Sequence, residues 1–495
     1  MKMPKPDEET ISRRQQIIQA MLSIVKGEGV ITDADEMRAY DHDGLMAYKA
    51  QPLIVVLPET TDEISRILKY CNENNVKIVP RGAGTGLSGG ALPLEDAITL
   101  GLGKFKKILE IDFDNRIVIA QPGVTNLAVT QAVEAEGFYY APDPSSQIAC
   151  SIGGNIAENS GGVHSLKYGL TTNNVLGIEM VLMSGEVIRI GGKFLDSGGY
   201  DLLGVATGSE GLLGVITEVT LRILRKPETA RAVLIGFQSN ESGGECVASI
   251  IGAGIIPSGM EMMDKLAIHA TENFTHAGYP LDVQALLIVE LDGPVVEVDQ
   301  LIERIDAIAK QAGASYVRIS ESEEERLRFW SGRKNAFPAL GRTSPDYLCM
   351  DGTIPRGCLA DVLKRISDLS KKYNLRVANV FHAGDGNLHP LICFDANEPG
   401  ELKRAEEFGA DILKYCVEVG GVLTGEHGVG IEKRDLMYEM FTENDLKQQQ
   451  RLKCAFDPDH LLNPGKVYPK LHRCAELGRM FVHEGKLPFP KIPRF

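Results

Sequence analysis

The chain has 495 residues, a length that predicts about two to four domains. Hydrophobic residues make up 43% and charged residues 24%, which excludes a disordered, collagen-like or disulfide-stapled protein. The formal net charge is −15, and a surface of that sign repels phosphate backbones. We therefore expect no nucleic-acid partner.

Residues 1–50 predict a helical N-terminal segment, because Ile17, Ile18 and Met21 recur at helical spacing. The first residues are polar and contain no signal-peptide core. No apolar run reaches the roughly 20 residues that a membrane span needs, so we expect no transmembrane segment. The nine cysteines are scattered and none has CxxC spacing, which favours a cytoplasmic protein without Cys-ligated iron–sulfur or zinc sites.

Residues 51–228 are predicted to form one domain that is rich in short strands. Ser184 and Gly185 separate two apolar runs and indicate a hairpin. A helix capped by Thr61 and a helix over 125–136 interrupt the strands. The predicted strands are 51–60, 76–79, 97–102, 108–111, 117–120, 178–183, 186–190 and 215–224.

The 52 glycines are concentrated between residues 81 and 230. Residues 84–89 match the dinucleotide pattern GxGxxG, but that fold needs a helix that begins at the loop. Pro93 and the alternating apolar residues 98, 100 and 102 predict a strand instead. We therefore predict a strand–loop–strand cradle whose backbone N–H groups bind phosphate.

Two further glycine-rich stretches support a large ligand. Residues 144–162 combine serines, glycines and asparagines, whose side chains can hydrogen-bond the edge of a heterocycle. Residues 208–211 form a third glycine turn. Three such stretches are better suited to FAD than to a single phosphate.

Residues 229–460 are predicted to form a second domain, with strands at 285–291 and 376–381 and helices near 297–312, 358–372 and 401–419. His382 and His389 flank a predicted hairpin turn, and Glu426 and His427 lie in a glycine-flanked loop. Two histidines and a carboxylate can bind a divalent metal. The spacing alone leaves equally open that the histidines only stabilise the hairpin, or that the cluster serves a metal hydrolase.

The glycine stretches PRGAGTGLSGG, PDPSSQIACSIGGNIAENSGG and GSEGLLGVITE resemble the FAD domain of the vanillyl-alcohol oxidase family. This resemblance implies non-covalent FAD, with His164 and Cys150 as structural residues. It also implies that NPGK, within a C-terminal segment 461–495, returns to the flavin. The FAD-binding residues that it implies are Pro80, Arg81, Gly82, Gly84, Thr85, Gly86, Leu87, Ser88, Pro144, Ser145, Gly153, Gly154, Asn155, Asn159, Gly161, Glu210, Ile216 and Asn463.

HAGDGNLH and GEHGVG resemble the paired motifs of the FAD-linked D-2-hydroxyacid dehydrogenases within that family. The resemblance implies that His382, His389 and Glu426 bind a divalent metal, with zinc expected, and that His427 is the catalytic base. The resemblance implies Arg333, at the W-x-x-R position, as the ligand of the substrate carboxylate. Arg342, which is also close to the only tryptophan, Trp330, is a second and weaker candidate. Residues 349–351 lack the lysine of the 2-hydroxyglutarate enzymes, which favours a small monocarboxylate.

The resemblance thus implies an α+β fold, a vanillyl-alcohol-oxidase-type FAD domain (51–228) plus a mixed α/β substrate and metal domain (229–460). It implies oxidation of glycolate to glyoxylate, or of D-lactate to pyruvate. The pattern most resembles multi-subunit members, which implies FAD-like and iron–sulfur partner subunits of a glycolate oxidase complex, peripheral at the inner membrane. A D-lactate or D-2-hydroxyglutarate dehydrogenase acting alone and a non-catalytic electron-transfer subunit are the alternatives.

Overall fold

The first sheet lies near the N-terminus of the computed structural model, which describes residues 3–194 and 198–469. Its elements are α1 (Glu8–Ser12), α2 (Arg14–Ile24), β1 (Val30–Ile31), α3 (Ala34–Met37), β2 (Ile54–Val56), α4 (Thr61–Glu73), β3 (Lys77–Arg81) and β4 (Ala97–Gly101). The strand order is β1-β2-β4-β3, with β2, β4 and β3 parallel. Apolar faces of α2 and α4 pack on this sheet. The predicted helical segment therefore also contributes the edge strand β1.

The cap of α4 differs by one residue from the prediction. The backbone of Thr60 is extended, and its hydroxyl accepts the N–H of Glu63 at 3.2 Å. Thr61 is the first helical residue instead. Sequence reasoning cannot separate two adjacent threonines, because either hydroxyl is a suitable cap.

No helix begins at the GxGxxG loop, as predicted. The loop runs from residue 82 to residue 96 and joins the adjacent parallel strands β3 and β4 directly. The dinucleotide-binding alternative is therefore excluded, because its pyrophosphate site needs a helix N-terminus at this point.

A second, antiparallel sheet of five strands completes the N-terminal part. Its order is β5-β6-β10-β8-β9, and the predicted hairpin at Ser184 and Gly185 joins β8 to β9. The elements of this part of the chain are β5 (Ile108–Asp112), β6 (Ile117–Ala120), α5 (Asn126–Val133), β7 (Phe138–Tyr139), α6 (Ile152–Glu158), α7 (Ser165–Tyr168), β8 (Val175–Val181), β9 (Val187–Gly191), α8 (Leu202–Ala206) and β10 (Val215–Arg222).

A large antiparallel sheet dominates the rest of the chain. The elements of this part of the chain are β11 (Leu224–Arg225), β12 (Thr229–Phe237), α9 (Asn240–Gly252), β13 (Gly259–Asp264), α10 (Lys265–Thr275), β14 (Ala285–Gly293), α11 (Val295–Gln311), β15 (Tyr316–Ile319), α12 (Glu323–Lys334), α13 (Ala336–Leu340), β16 (Asp346–Cys349), β17 (Gly352–Thr353), α14 (Leu359–Tyr373), β18 (Val377–His382), β19 (Asn387–Leu388), β20 (Pro390–Phe394), α15 (Glu401–Glu418), α16 (Met437–Met440) and α17 (Glu443–Phe456). The main path of the large sheet is β15-β12-β14-β13-β18-β19-β17. Strand β11 pairs with β7.

Both faces of the large sheet are covered by helices. On β14, Leu287 and Val289 face a core with α9, α11, α14 and α15, whereas Leu286 and Ile288 face α10, α12 and α13. This alternation is the two-residue period of a strand. It explains why residues 285–289 of β14 are all apolar, as expected for a strand buried on both faces.

The C-terminal residues of the described chain return to the first sheet. The N–H of Ile78 donates to the carbonyl of Leu461 at 2.8 Å, and the N–H of Asn463 donates to the carbonyl of Ile78 at 2.7 Å. The rest of the predicted C-terminal segment, 470–495, lies outside the described residues. Within residues 3–194 and 198–469, no helix is both long and apolar enough to cross a membrane.

Candidate active site

A cavity of about 390 Å³ lies where the two small sheets meet the large sheet. One wall comes from loops 80–87, 144–146 and 209–211, together with α6. The opposite wall comes from the large-sheet part of the chain. It contains Arg333, His382, His389, Glu426 and His427.

The first wall presents backbone donors to the cavity. Residues 82–87 all line it, and none of their N–H groups donates to an acceptor within the described ranges. Gly84 has φ +73°, a left-handed conformation that glycine adopts without steric cost. A run of free N–H groups forms a concavity for anions, so this cradle fits the pyrophosphate of FAD.

The loop before α6 packs tightly against that cradle. Ser151 caps α6, and its hydroxyl accepts the N–H of Gly154 at 3.3 Å. A Cβ on Gly82 would collide with the Ser151 hydroxyl. Glycine at position 82 therefore lets the cradle lie against the N-terminus of α6.

Three groups on the opposite wall converge on one point. His382 Nε2 and His389 Nε2 lie 3.1 and 3.0 Å from Glu426 Oε1. All three donor atoms lie within 4.8 Å of one another. The charges of both histidines hold the pKa of the Glu426 carboxyl well below its usual range, although burial opposes this.

The far sides of both imidazoles are also engaged. His382 Nδ1 lies 2.6 Å from Glu261 Oε1, and His389 Nδ1 lies 3.3 Å from the carbonyl of Met350. Metal-binding histidines characteristically have such outer partners, which orient the ring. The three residues therefore fit a divalent cation such as zinc.

A second possible ligand group overlaps the first. The Cys349 thiol and the rings of His389 and His427 also offer donor atoms within 4.8 Å of one another. Burial raises the pKa of the Cys349 thiol well above its usual range, which disfavours the thiolate that binds metals. The group that contains Glu426 is the better cation site.

The segment that carries Glu426 and His427 is held by one buried carboxylate. Asp351 Oδ2 accepts the N–H groups of Gly425 at 3.0 Å and of His427 at 2.9 Å, and Oδ1 accepts that of Glu426 at 3.2 Å. Lys433, which is fully buried, donates to Asp351 at 3.2 Å. This network keeps the segment in one conformation.

The His427 ring stacks on the His389 ring, with centroids 4.9 Å apart and planes 13° from parallel. Burial lowers the pKa of His427 to about 4, although the charge of Asp351 opposes the shift. The imidazole is therefore neutral near pH 7 and has a ring nitrogen that can accept a proton.

The two candidate arginines differ in position. Arg333 is 2% exposed and lines the cavity, and its Nε donates to Glu261 Oε2 at 2.6 Å. Its two Nη groups donate to no acceptor in the described part of the chain. Arg342 is exposed, stacks over the ring of Phe274 at 4.4 Å and does not line the cavity. The side chain of Arg342 therefore packs on α10, outside the residues that line the cavity.

Two family models match this chain. "FAD binding domain" matches residues 52–191, and "FAD linked oxidases, C-terminal domain" matches residues 226–467. The chain is 56% identical to "Glycolate oxidase subunit GlcD" of Escherichia coli (strain K12) over 482 residues, which cover 97% of both chains.

The chain belongs to the FAD-linked oxidases. This FAD-linked oxidase is also 40% identical to "Glycolate oxidase subunit GlcD" of Bacillus subtilis (strain 168), over 92% of the chain and 97% of the relative. It is 34% identical to "D-lactate dehydrogenase" of Archaeoglobus fulgidus, over 89% and 97%. The prediction that it binds FAD is confirmed by the FAD binding domain match.

Solved structures confirm the predicted vanillyl-alcohol-oxidase-type fold. p-Cresol methylhydroxylase with substrate bound superposes with a TM-score of 0.78 at 18% identity, over 93% of this chain and 97% of that chain. 4-Ethylphenol oxidase from Gulosibacter chungangensis superposes with a TM-score of 0.77 at 18% identity, over 95% and 99%. At these identities the likeness concerns the fold alone.

Most of the predicted FAD-binding residues of this FAD-linked oxidase lie at the cavity. Those that line it are Pro80, Arg81, Gly82, Gly84, Thr85, Gly86, Leu87, Pro144, Ser145, Gly153, Gly154, Asn155, Glu210 and Ile216. Ser88, Asn159, Gly161 and Asn463 do not line it. They support its walls instead.

The supporting contacts of these four residues are specific. Asn159 caps α6 with φ +56°, and Asn463 Nδ2 donates to the carbonyl of Gly90 at 3.0 Å. A Cβ on Gly161 would lie 2.6 Å from Glu426 Oε2, so glycine admits that carboxylate. The carbonyl of Ser88 accepts two N–H groups beyond His427.

Sequence reasoning missed the buried residues that position the site, namely Glu261, Asp351 and Lys433. Glu261 lies within the apolar strand β13 and is 0% exposed. A lone carboxylate in an apolar run was the available signal, because buried charges are rare unless they are paired. For Asp351 and Lys433 no local pattern indicated the pairing.

Proposed function

We propose that this FAD-linked oxidase oxidises small 2-hydroxyacids, glycolate to glyoxylate and D-lactate to pyruvate. The observation that carries the proposal is that Arg333, His427 and the His382–His389–Glu426 group line the same cavity as the FAD cradle. Its relatives are named glycolate oxidase subunit and D-lactate dehydrogenase, which supports the same substrate class.

The roles of the residues follow from their donors and charges. The free Nη groups of Arg333 bind the substrate carboxylate in a bidentate manner. His427 accepts the hydroxyl proton while the α-hydrogen leaves as a hydride, so the hydroxyacid loses two electrons and becomes an oxoacid. FAD, when bound, supplies the hydride acceptor.

We propose that the FAD is held non-covalently. Burial raises the pKa of the Cys150 thiol, which disfavours a nucleophilic thiolate. Both ring nitrogens of His164 are engaged, with Asp143 at 2.8 Å and Glu290 at 3.1 Å. Unfolding the protein in denaturant should release all of the FAD into solution.

His382, His389 and Glu426 would hold a divalent cation, for which we propose zinc. The cation, when bound, supplies a Lewis acid for substrate oxygens. Two imidazoles and one carboxylate leave coordination positions open for substrate, as in catalytic rather than structural zinc sites.

One anaerobic experiment tests the proposal. Purified protein is mixed with glycolate, each lactate enantiomer and D-2-hydroxyglutarate, and the visible band of the flavin is followed. We expect glycolate and D-lactate to bleach the band fastest. We also expect His427→Ala or removal of the metal to slow bleaching by about 10²- to 10⁴-fold.

Near-normal bleaching by His427→Ala would overturn the role of that base. A yellow protein that no hydroxyacid bleaches would favour a non-catalytic electron-transfer subunit. A colourless protein would favour a metal hydrolase. Fast bleaching by D-2-hydroxyglutarate would contradict the proposed preference for monocarboxylates, which rests on the absence of a lysine at residues 349–351.

We propose that the electrons leave to FAD-like and iron–sulfur partner subunits, and then to membrane quinone. The relatives at 56% and 40% identity are named as subunits, which supports this assembly. The purified chain alone should reduce an artificial dye but not a quinone. Reduction of quinone by this chain alone would contradict the proposal.

A further inference from the structure

Residues 424–432, here called the catalytic segment, are anchored at both ends. Asp351 holds the first half from the large-sheet side through the N–H groups of Gly425, Glu426 and His427. The second half is held from the FAD side. Glu426 and His427 therefore lie between two anchors that belong to different parts of the fold.

The FAD-side anchor consists of one carboxylate and one backbone carbonyl. Glu210 Oε1 accepts the N–H of Val429 at 2.7 Å, and Glu210 Oε2 accepts the N–H of Gly430 at 2.7 Å. The carbonyl of Ser88, at the end of the phosphate cradle, accepts the N–H groups of Ile431 at 2.9 Å and Glu432 at 3.1 Å. Four consecutive residues of the catalytic segment thus bond to two loops of the FAD-binding part.

The approach between these elements leaves no free space. A Cβ on Gly428 would collide with the carboxyl oxygen of Glu158 and lie 2.9 Å from the Glu210 carboxyl carbon. A Cβ on Gly430 would collide with the Ser88 carbonyl. Any displacement of the FAD loops is therefore transmitted to the catalytic segment.

Glu210 is itself held in a single geometry. Its φ is +51°, a left-handed conformation that is unfavourable for residues other than glycine. It is 6% exposed, and its carbonyl accepts the Asn463 side chain at 2.7 Å. Such strain persists only where the surroundings determine the conformation.

We propose that Glu210 is a positioning residue that couples the FAD loops to Glu426 and His427. The inference rests on the proposed roles of those two residues. By linkage, ordering of the FAD loops favours the bound geometry of the metal group, and the metal favours FAD binding by the same factor. Of the hydrogen bonds that join the FAD loops to the catalytic segment, those to the Glu210 carboxylate are the ones made by a side chain, and we expect them to transmit this coupling.

The test measures binding in the absence of substrate. Full-length protein is stripped of FAD and metal, and FAD is titrated by flavin fluorescence with and without saturating Zn²⁺. We expect Zn²⁺ to tighten FAD binding by about fivefold in the unmodified protein, the low end of typical coupling between sites. In Glu210→Gln that ratio should fall to about one, because the amide presents a donor to one of the two backbone N–H groups.

Glu186→Gln is the matched control, because Glu186 is exposed at the β8–β9 hairpin of the same part of the chain. Its ratio should equal that of the unmodified protein. If Glu210→Gln does not fold, Glu210→Asp replaces it under the same criterion, since it retains both oxygens but withdraws them by one methylene. A ratio that is unchanged in the variant, or that equals one in the unmodified protein, would overturn the coupling.

The outcome is separable from the proposed function. Failure of hydroxyacids to bleach the flavin would overturn the substrate proposal. The ratio of the FAD affinities with and without Zn²⁺ would still decide whether Glu210 couples the two sites. Conversely, bleaching that depends on His427, together with an unchanged ratio in Glu210→Gln, would support the substrate proposal and overturn the coupling.

Discussion

The two walls of the cavity offer different kinds of binding groups. The wall that contains the phosphate cradle, here called the backbone wall, uses mainly backbone N–H groups. Residues 82–87 present these groups without partners inside the described chain. The opposite wall, here called the charged wall, uses ionisable side chains that pair with buried carboxylates. Arg333 and His382 contact Glu261, and His389 contacts Glu426. Backbone recognition depends on space and conformation, whereas side-chain recognition depends on the pairing of charges.

Because of this difference, we expect substitutions to affect the two walls differently. An unpaired buried ion costs several kcal/mol, so removing one member of the charged wall affects every partner. An added methyl on the backbone wall instead changes one local conformation. We expect substitutions on the charged wall to have the larger effect.

Among the tests of this comparison, the largest effect is expected for Glu261, which joins His382 to Arg333. Glu261→Gln replaces one acceptor oxygen by a donor, so one of the two links is lost. We expect Zn²⁺ affinity, measured by competition with a chromogenic chelator, to fall by about 10- to 100-fold. Glu303→Gln, an exposed substitution on α11, serves as control. Equal Zn²⁺ affinities in both variants would contradict the role of Glu261.

An intermediate effect is expected on the backbone wall at Gly84. Gly84→Ala forces a side chain into a left-handed conformation and brings its Cβ against the guanidinium of Arg81. The backbone strain is about 1–2 kcal/mol, so FAD affinity should fall by about tenfold. Flavin fluorescence titration measures this, with Gly103→Ala as control because a Cβ there meets nothing within 4 Å. A larger loss than in Glu261→Gln would invert the comparison between the walls.

The smallest expected effect concerns the contact between His164, in the FAD-binding part of the chain, and Glu290 in β14 of the large sheet. Burial opposes both charges, yet the interactions of His164 and Arg326 lower the pKa of Glu290 to about 2, and those of Asp143 and Glu290 raise the pKa of His164 to about 10. The lowered Glu290 pKa stabilises the fold above its ordinary value of 4.5, and this contribution is lost as pH falls towards 2. The raised His164 pKa stabilises the fold below 6.5, and this is lost as pH rises through about 10.

Both contributions are therefore complete between pH 4.5 and 6.5. Glu290→Gln should lower the Tm in that window by about 1–2 °C, corresponding to about 0.5–1 kcal/mol. It should also lessen the decline of Tm below pH 4.5. Thermal unfolding from pH 3 to 10 measures both, with the exposed Glu324→Gln as control. A parallel pH profile in Glu290→Gln would show that this contact does not stabilise the fold.

Local patterns allowed much of the fold to be predicted. Pro93 and the alternating residues after it excluded a helix at the GxGxxG loop, and the structure has strand β4 there. The helices predicted near 358–372 and 401–419 differ by about one residue at either end from α14 and α15. These features depend on periodicity and turn chemistry within a few residues, which a sequence displays directly.

The candidate site was predictable in its reacting groups but not in their support. Arg342 lies close to Arg333 in the sequence, but its side chain packs over Phe274 and does not line the cavity. Glu261 lies 121 residues from His382, and Asp351 lies 76 residues from His427. The local sequence around either carboxylate does not indicate which residue it contacts.

The residue types and their spacing predicted an FAD cradle and a His–Glu group, and the resemblance of the motifs predicted the fold family. Those features need particular side chains, or the absence of one, at positions close together in the chain. Which arginine faces the cavity, which carboxylate orients it and which loop holds His427 depend on contacts between distant segments. Such contacts form only when the sheets pack against each other. Burial then makes an unpaired charge energetically costly, so each buried charge must be paired with another.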